Sequence, residues 1–144
     1  MMFSPGVGKA WARLVRAYRV LVARVEAELK AAGFPPLAWY DALLELSRAE
    51  QGRLTPRELE AAMLFTQSNL SRLVDRLQAE GLVVREPVPT DARRQVIAIT
   101  PAGRALRERM WPTYQAAVER HLGSKLSADQ AGRLAAILAR LMPG

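Results

Sequence analysis

Hydrophobic residues in this 144-residue chain recur at helical spacing toward both ends and take on strand character only in a stretch beyond the middle. Trp11, Leu14, Val15, Tyr18, Val22, Val25 and Leu29 form one stripe, with Arg13, Arg16, Arg19, Arg24, Glu26 and Glu28 mostly outside it, which predicts a long amphipathic helix over about 9–32. Gly33 ends it, and the Gly- and Pro-containing residues 1–8 are expected to be loose. Pro35-Pro36 opens a second helix through Leu37, Trp39, Tyr40, Leu43, Leu44 and Leu46, after which Glu50-Gln51-Gly52-Arg53 forms a link. Thr55 and Glu58 have the capping-box spacing, and Pro56 occupies the first helical position. The pattern breaks at Leu64 and Phe65, and Thr66 is the expected cap of a further helix whose Leu70, Leu73, Val74 and Leu77 share a face and which Gly81 stops. Leu82–Glu86 and Gln95–Thr100 are rich in β-branched residues and read as two strands. Thr100-Pro101 begins a long helix running to Leu122, with Pro112 inside it expected to kink it near Met110 and Trp111. Ser127 with Gln130 then forms a second capping box ahead of Leu134, Ile137, Leu138 and Leu141.

Two short helices joined by so brief a turn have the helix-turn-helix arrangement, in which the second helix enters the DNA major groove by its N-terminal half. With Leu70 to Leu77 turned inward, the outer face presents Ser68, Arg72 and Asp75, flanked by Gln67, Asn69, Ser71 and Arg76. Arginine can hold guanine by two bonds, Asn or Gln can do the same with adenine, and Ser or free helix amides can fix a phosphate. Thr66, Gln67, Ser68, Asn69, Ser71, Arg72 and Arg76 are therefore the candidate groove contacts, although any solvated helix face would also carry such residues. Between the strands, Pro87-Val88-Pro89-Thr90-Asp91-Ala92-Arg93-Arg94 supplies turn formers and two adjacent arginines. That is a basic wing, and Arg93 and Arg94 are placed to enter a neighbouring minor groove. Asp91 has no partner carboxylate or His nearby and reads as orienting an arginine or the turn.

Composition narrows the choices. The chain has the length of one ordinary domain, and no run approaches the roughly 20 apolar residues of a membrane span. Lys9, Arg13 and Arg16 precede any long apolar run, which does not resemble a secretory signal and gives a cytoplasmic expectation. With no cysteine there is no disulfide, thiolate metal site or thiol switch, and the single His121 makes a zinc site improbable and suits a packing or hydrogen-bonding role. No Gly-rich phosphate loop, nucleophile elbow or metal motif occurs, so neither an enzyme nor a cofactor is expected. The net charge of +7 fits a nucleic-acid partner. It is not concentrated between Arg53 and Gly103, where seven Arg face six acids.

The segments Leu-Thr-Pro-Arg-Glu-Leu at 54–59, Ser-Asn-Leu-Ser-Arg-Leu-Val-Asp-Arg-Leu-Gln-Ala-Glu-Gly-Leu-Val at 68–83 and Asp-Ala-Arg-Arg-Gln-Val-Ile-Ala-Ile-Thr-Pro-Ala-Gly at 91–103 together resemble the MarR family of winged-helix transcription regulators. The last is the most specific, since Asp-x-Arg followed by a strand and Thr-x-x-Gly sets this family's wing apart. Phe65 in the turn and Val88-Pro89-Thr90 before the wing Asp depart mildly from the pattern. The resemblance implies a mainly α fold with a small β wing in one domain, 1–144: a winged helix-turn-helix over about 37–103, flanked by dimerisation helices over about 9–32 and 101–142. It further implies a homodimer on a pseudo-palindromic operator in double-stranded DNA. A repressor released by a small anionic aromatic ligand is also implied, with Trp11, Arg13, Arg16, Trp39 and Tyr40 as candidate ligand contacts. The competing reading is a winged-helix module that binds protein or RNA without operator specificity.

Overall fold

The computed structural model describes residues 4–65 and 67–143 and is mainly helical, with one small antiparallel sheet. Helices α1 (Pro5–Ala31) and α2 (Leu37–Arg48) precede a two-residue strand β1 (Arg53–Leu54), then α3 (Pro56–Ala62) and α4 (Leu70–Ala79). Strands β2 (Val83–Val88) and β3 (Asp91–Ile99) form the hairpin, and α5 (Pro101–His121) and α6 (Ala128–Ala139) complete the chain. The chain divides into two compact units: residues 33–112, and the described residues of 1–32 with those of 113–144.

In the first of these, α2, α3, α4 and the sheet enclose a core that includes Tyr40, Leu43, Leu46, Leu59, Leu77 and Ile97. The sheet order is β1-β3-β2, with Arg53 opposite Ala98 and Val84 opposite Ala98 on the other edge. The expected link at 50–53 thus ends in a strand, because two residues suffice to pair with β3. Thr55 caps α3 as expected: its side chain accepts from the Glu58 amide at 3.2 Å while the Glu58 carboxylate accepts from the Thr55 amide at 2.8 Å. The bond from the Thr55 amide, followed by that from the Thr55 hydroxyl, holds the Glu58 carboxyl below its ordinary pKa.

Gly81 adopts φ +73° after α4, and the bonds Leu82 N–H to Leu77 O and Gly81 N–H to Gln78 O close the Schellman turn. The Thr100 hydroxyl donates to Gly81 O at 2.7 Å and accepts from the Gly103 amide at 3.1 Å, so one side chain caps α5 and ties it to the end of α4. A Cβ on Gly103 would run into the Leu82 carbonyl, which is the steric reason for glycine in the Thr-Pro-Ala-Gly segment.

In the second unit, α1 begins at Pro5 with Ser4 as its cap, so residues 5–8 are helical and not loose; Met1–Phe3 lie outside the described residues. Glu28 of α1 pairs with Arg120 and His121 at the end of α5. The Arg120 bond, opposing partial burial, leaves the Glu28 carboxyl below its ordinary value. α5 continues through Pro112, where the boundary between the units falls. Ser127 and Gln130 form the reciprocal box that starts α6. No residue of α6 is buried, and Trp11 (63% exposed), Tyr18, Ile137, Leu141 and Met142 all face outward in the single chain. Among the described residues, no helix is long and apolar enough to cross a membrane, and no cluster of His, Cys, Asp or Glu could hold a metal ion.

Candidate nucleic-acid interface

α4 is a strongly one-sided helix. Leu73, Val74 and Leu77 are buried, each contributing about 1.5–3 kcal/mol, which fixes the rotation of the helix and hence the side chains it shows to solvent. Ser71, Arg72, Asp75 and Arg76 are exposed. The helix starts at Leu70 and its cap is Asn69, whose side chain accepts from the Arg72 amide at 3.0 Å. Gln67 and Ser68 therefore precede the helix, and Thr66, the expected cap, lies outside the described residues.

The two flanks of α4 differ. Toward α2, a hollow of about 280 Å³ is lined by Trp39, Gln67, Ser68, Asn69, Arg72 and Arg76. This brings five of the candidate groove contacts together. Toward the wing, Arg85 of β2 donates to Asp75 at 2.8 Å and to the Ser71 carbonyl at 3.1 Å, while its own amide donates to Gln78 Oε1 at 3.0 Å. Sequence reasoning passed over Arg85, because its partners lie 7 to 14 positions away on another element.

The hairpin is longer than its sequence suggests. Val88 pairs with Asp91 and Pro87 with Gln95, so the strands reach Pro89-Thr90 and the three residues between Asp91 and Gln95 sit in an irregularity of β3. Arg93 and Arg94 belong to that irregularity. The Asp91 carboxylate accepts from the Arg93 amide at 3.1 Å and meets its guanidinium at 3.4 Å, which orients a side chain that is 94% exposed. Arg94 instead borders a shallow hollow with Thr55, Pro56, Arg57 and Gln95, close enough to Glu58 to help lower its pKa. The two adjacent arginines thus have different surroundings.

Asp41 was also missed, and it holds the turn. Only 2% exposed on α2, it accepts from the Phe65 amide at 2.9 Å, and the Leu64 amide also faces it. Burial outweighs these bonds and raises its pKa. The turn between α3 and α4 is thereby anchored by a side chain more than 20 residues earlier.

Of the candidate ligand contacts, Trp11, Arg13 and Arg16 lie in an exposed stretch of α1, with Arg16 beside Arg19, Val20 and Ala23 in a shallow depression. Trp39 lines the hollow beside α4. Tyr40 is a core residue whose hydroxyl engages Arg107, and its burial raises the phenol pKa.

A MarR family model matches residues 32–94, from the end of α1 to the wing arginines. The fold matches Sco3205, a MarR family transcriptional regulator from Streptomyces coelicolor solved in complex with DNA, with a TM-score of 0.88 and 26% identity over 100% of this chain and 93% of that one. The chain is similar to the MarR family, in sequence over residues 32–94 and in fold over its described length. Other MarR family similarities agree. The multiple antibiotic resistance protein MarR of Salmonella typhimurium is 30% identical over 92 residues, 64% of each chain, so the match spans just under two thirds of that relative's length. A further structure, from work on the regulation of DNA binding of Bordetella bronchiseptica BpsR by 6-hydroxynicotinic acid, matches with a TM-score of 0.80 and 26% identity over 98% of this chain and 96% of that one. In MarR family terms the mild departures are local: Phe65 gives its amide to Asp41, and Val88-Pro89-Thr90 forms the tip of the wing.

Proposed function

We propose that the chain is a sequence-specific, DNA-binding transcriptional regulator that acts as a homodimer on a pseudo-palindromic operator. The observation that carries this reading is the outer face of α4. A helix anchored by three buried side chains presents Arg72, Arg76, Ser71 and, just before it, Ser68, beside a hairpin whose Arg93 stands in solvent. Such a face offers donors to guanine and to phosphates, and the wing offers a cation to the next minor groove. The outward apolar residues of α1 and α6 supply the surface for a second copy, and a two-fold dimer presents two reading heads to two half-sites. Working on its own genome, it would act in the cytoplasm.

Its role is that of a repressor released by a small anionic aromatic compound. Support comes from the BpsR relative and its 6-hydroxynicotinic acid, and from the hollow that Trp39, Arg72 and Arg76 help to line. Trp11, Arg13 and Arg16 remain candidate contacts on α1, and Tyr40 remains a separate candidate in the core of α2. The experiment is retention of genomic duplex fragments by the purified protein, followed by sequencing. Enrichment of one inverted repeat is expected; equal retention of all fragments, or none, would overturn the reading. Repeating the binding with a panel of aromatic anions tests release, and an affinity unmoved by every compound would remove the ligand from the proposal.

A further inference from the structure

Asp75 is the one acidic residue of α4, it is 64% exposed, and it lies on the same outer face as Arg72. A bare carboxylate there would repel the phosphates that the rest of the face attracts. It is not bare. Arg85, only 24% exposed, comes from β2 and pairs with it at 2.8 Å. Through Ser71 O, Asp75 and Gln78 Oε1 it is bonded at positions i, i+4 and i+7, a single flank of the helix over two turns. Arg72 and Arg76 occupy the other flank, along the hollow beside Trp39.

We propose that Arg85 is the positioning residue of the reading head, cancelling the Asp75 charge at the DNA-facing surface while it locks the wing to the recognition helix. This role rests on the DNA-binding reading above. Without the guanidinium, the same face carries an uncompensated negative charge, so loss of Arg85 acts on DNA through Asp75. Removal of both charges restores neutrality, and the helix is still held by its buried Leu73, Val74 and Leu77.

The test compares wild type, Arg85→Gln, Asp75→Asn and the double variant, by fluorescence anisotropy on the selected operator and on random duplex over a range of salt. Arg85→Gln is expected to weaken both by roughly tenfold and to lower the salt slope by about one. Asp75→Asn is expected to bind at least as tightly as wild type with a steeper slope, and the double variant to recover most of the loss. A double variant no better than Arg85→Gln would overturn the role, since Arg85 would then be a direct phosphate contact or a plain structural support. Melting curves accompany each variant. If Arg85→Gln is unfolded at the assay temperature, Asp75→Asn decides: tighter or equal binding supports the role and weaker binding overturns it. Failure of wild type to bind any duplex would instead remove the DNA reading itself, together with this role.

Discussion

Replacing Asp41 with Ala removes the carboxylate that accepts from the Phe65 amide at 2.9 Å and faces the Leu64 amide in the turn before α4. A partly buried N–H left without an acceptor costs about 1–3 kcal/mol, and relief from holding a buried charge returns part of that. The expected net loss is about 1–2 kcal/mol, a fall in Tm of roughly 2–8 °C for a chain of this size. Asp41→Asn keeps an acceptor for Phe65 and should lose under about 1 kcal/mol. The pH dependence adds a second constraint. Burial raises the folded-state pKa of Asp41 above its unfolded value, so the folded protein holds this proton more tightly. The stability that Asp41 contributes is then fully present below the ordinary aspartate range and declines as pH rises through the raised value. Wild type should therefore exceed Asp41→Ala by more near pH 4 than at pH 7. Calorimetric or circular-dichroism melts of the three proteins across that range make the measurement. An Asp41→Ala variant as stable as wild type at every pH, or a gap that widens as pH rises, would refute this account of the turn.

Arg72→Ala should cost about 1–3 kcal/mol at one operator position and relax the base preference there; equal losses on operator and random duplex would leave Arg72 no part in base reading. Replacing Arg93 and Arg94 together should weaken binding and flatten its salt dependence, with Arg93 carrying most of the effect because Arg94 sits beside Glu58. An unchanged salt slope in the double variant would place both side chains in solvent. Truncation before Ser127 removes α6, none of whose residues is buried in the single chain, and should abolish both the dimer and operator binding. Sedimentation of the intact protein as a monomer at micromolar concentration would contradict that prediction.

What was legible in the sequence is what local chemistry determines. The boxes at Thr55/Glu58 and Ser127/Gln130, and the turn at Gly81, need only residues three or four apart, and each stands where its spacing predicts. Pro5 and the Ser4 cap were also local signals, but the glycines at 6 and 8 outweighed them in the reading, and α1 begins earlier as a result. What could not be read depends on partners far along the chain. β1 is a strand only because β3 pairs with it, and its two residues carry no periodicity. The start of α4 has a local signal in its cap Asn69, but the turn before it is fastened by Asp41 on another helix, which no pattern within 64–70 contains. From sequence the wing arginines read as part of the turn between the strands, whereas they lie within β3 beyond the Pro89-Thr90 tip, and their separate environments follow from the irregular pairing of β3 with β2.

These non-local contacts share one consequence for the reading head. α4 is fixed by buried side chains beneath it, by Asp41 acting on the turn before it, by Arg85 along one flank and by Thr100 at the Gly81 turn behind it. Each constraint comes from a different element, so no single loop sets the angle at which the face meets a groove. An effector that weakens DNA binding then need not disturb the contacts of α4 itself. It has only to favour a different spacing between two intact heads, and a coupling of about 1–3 kcal/mol would lower affinity roughly 5- to 150-fold. If release works in this way, a ligand that dissociates the operator complex should leave half-site affinity nearly unchanged while abolishing the advantage of the linked second half. A ligand that weakens half-site and full-site binding by equal factors would show instead that it acts on the face of α4, for example from the hollow beside Trp39.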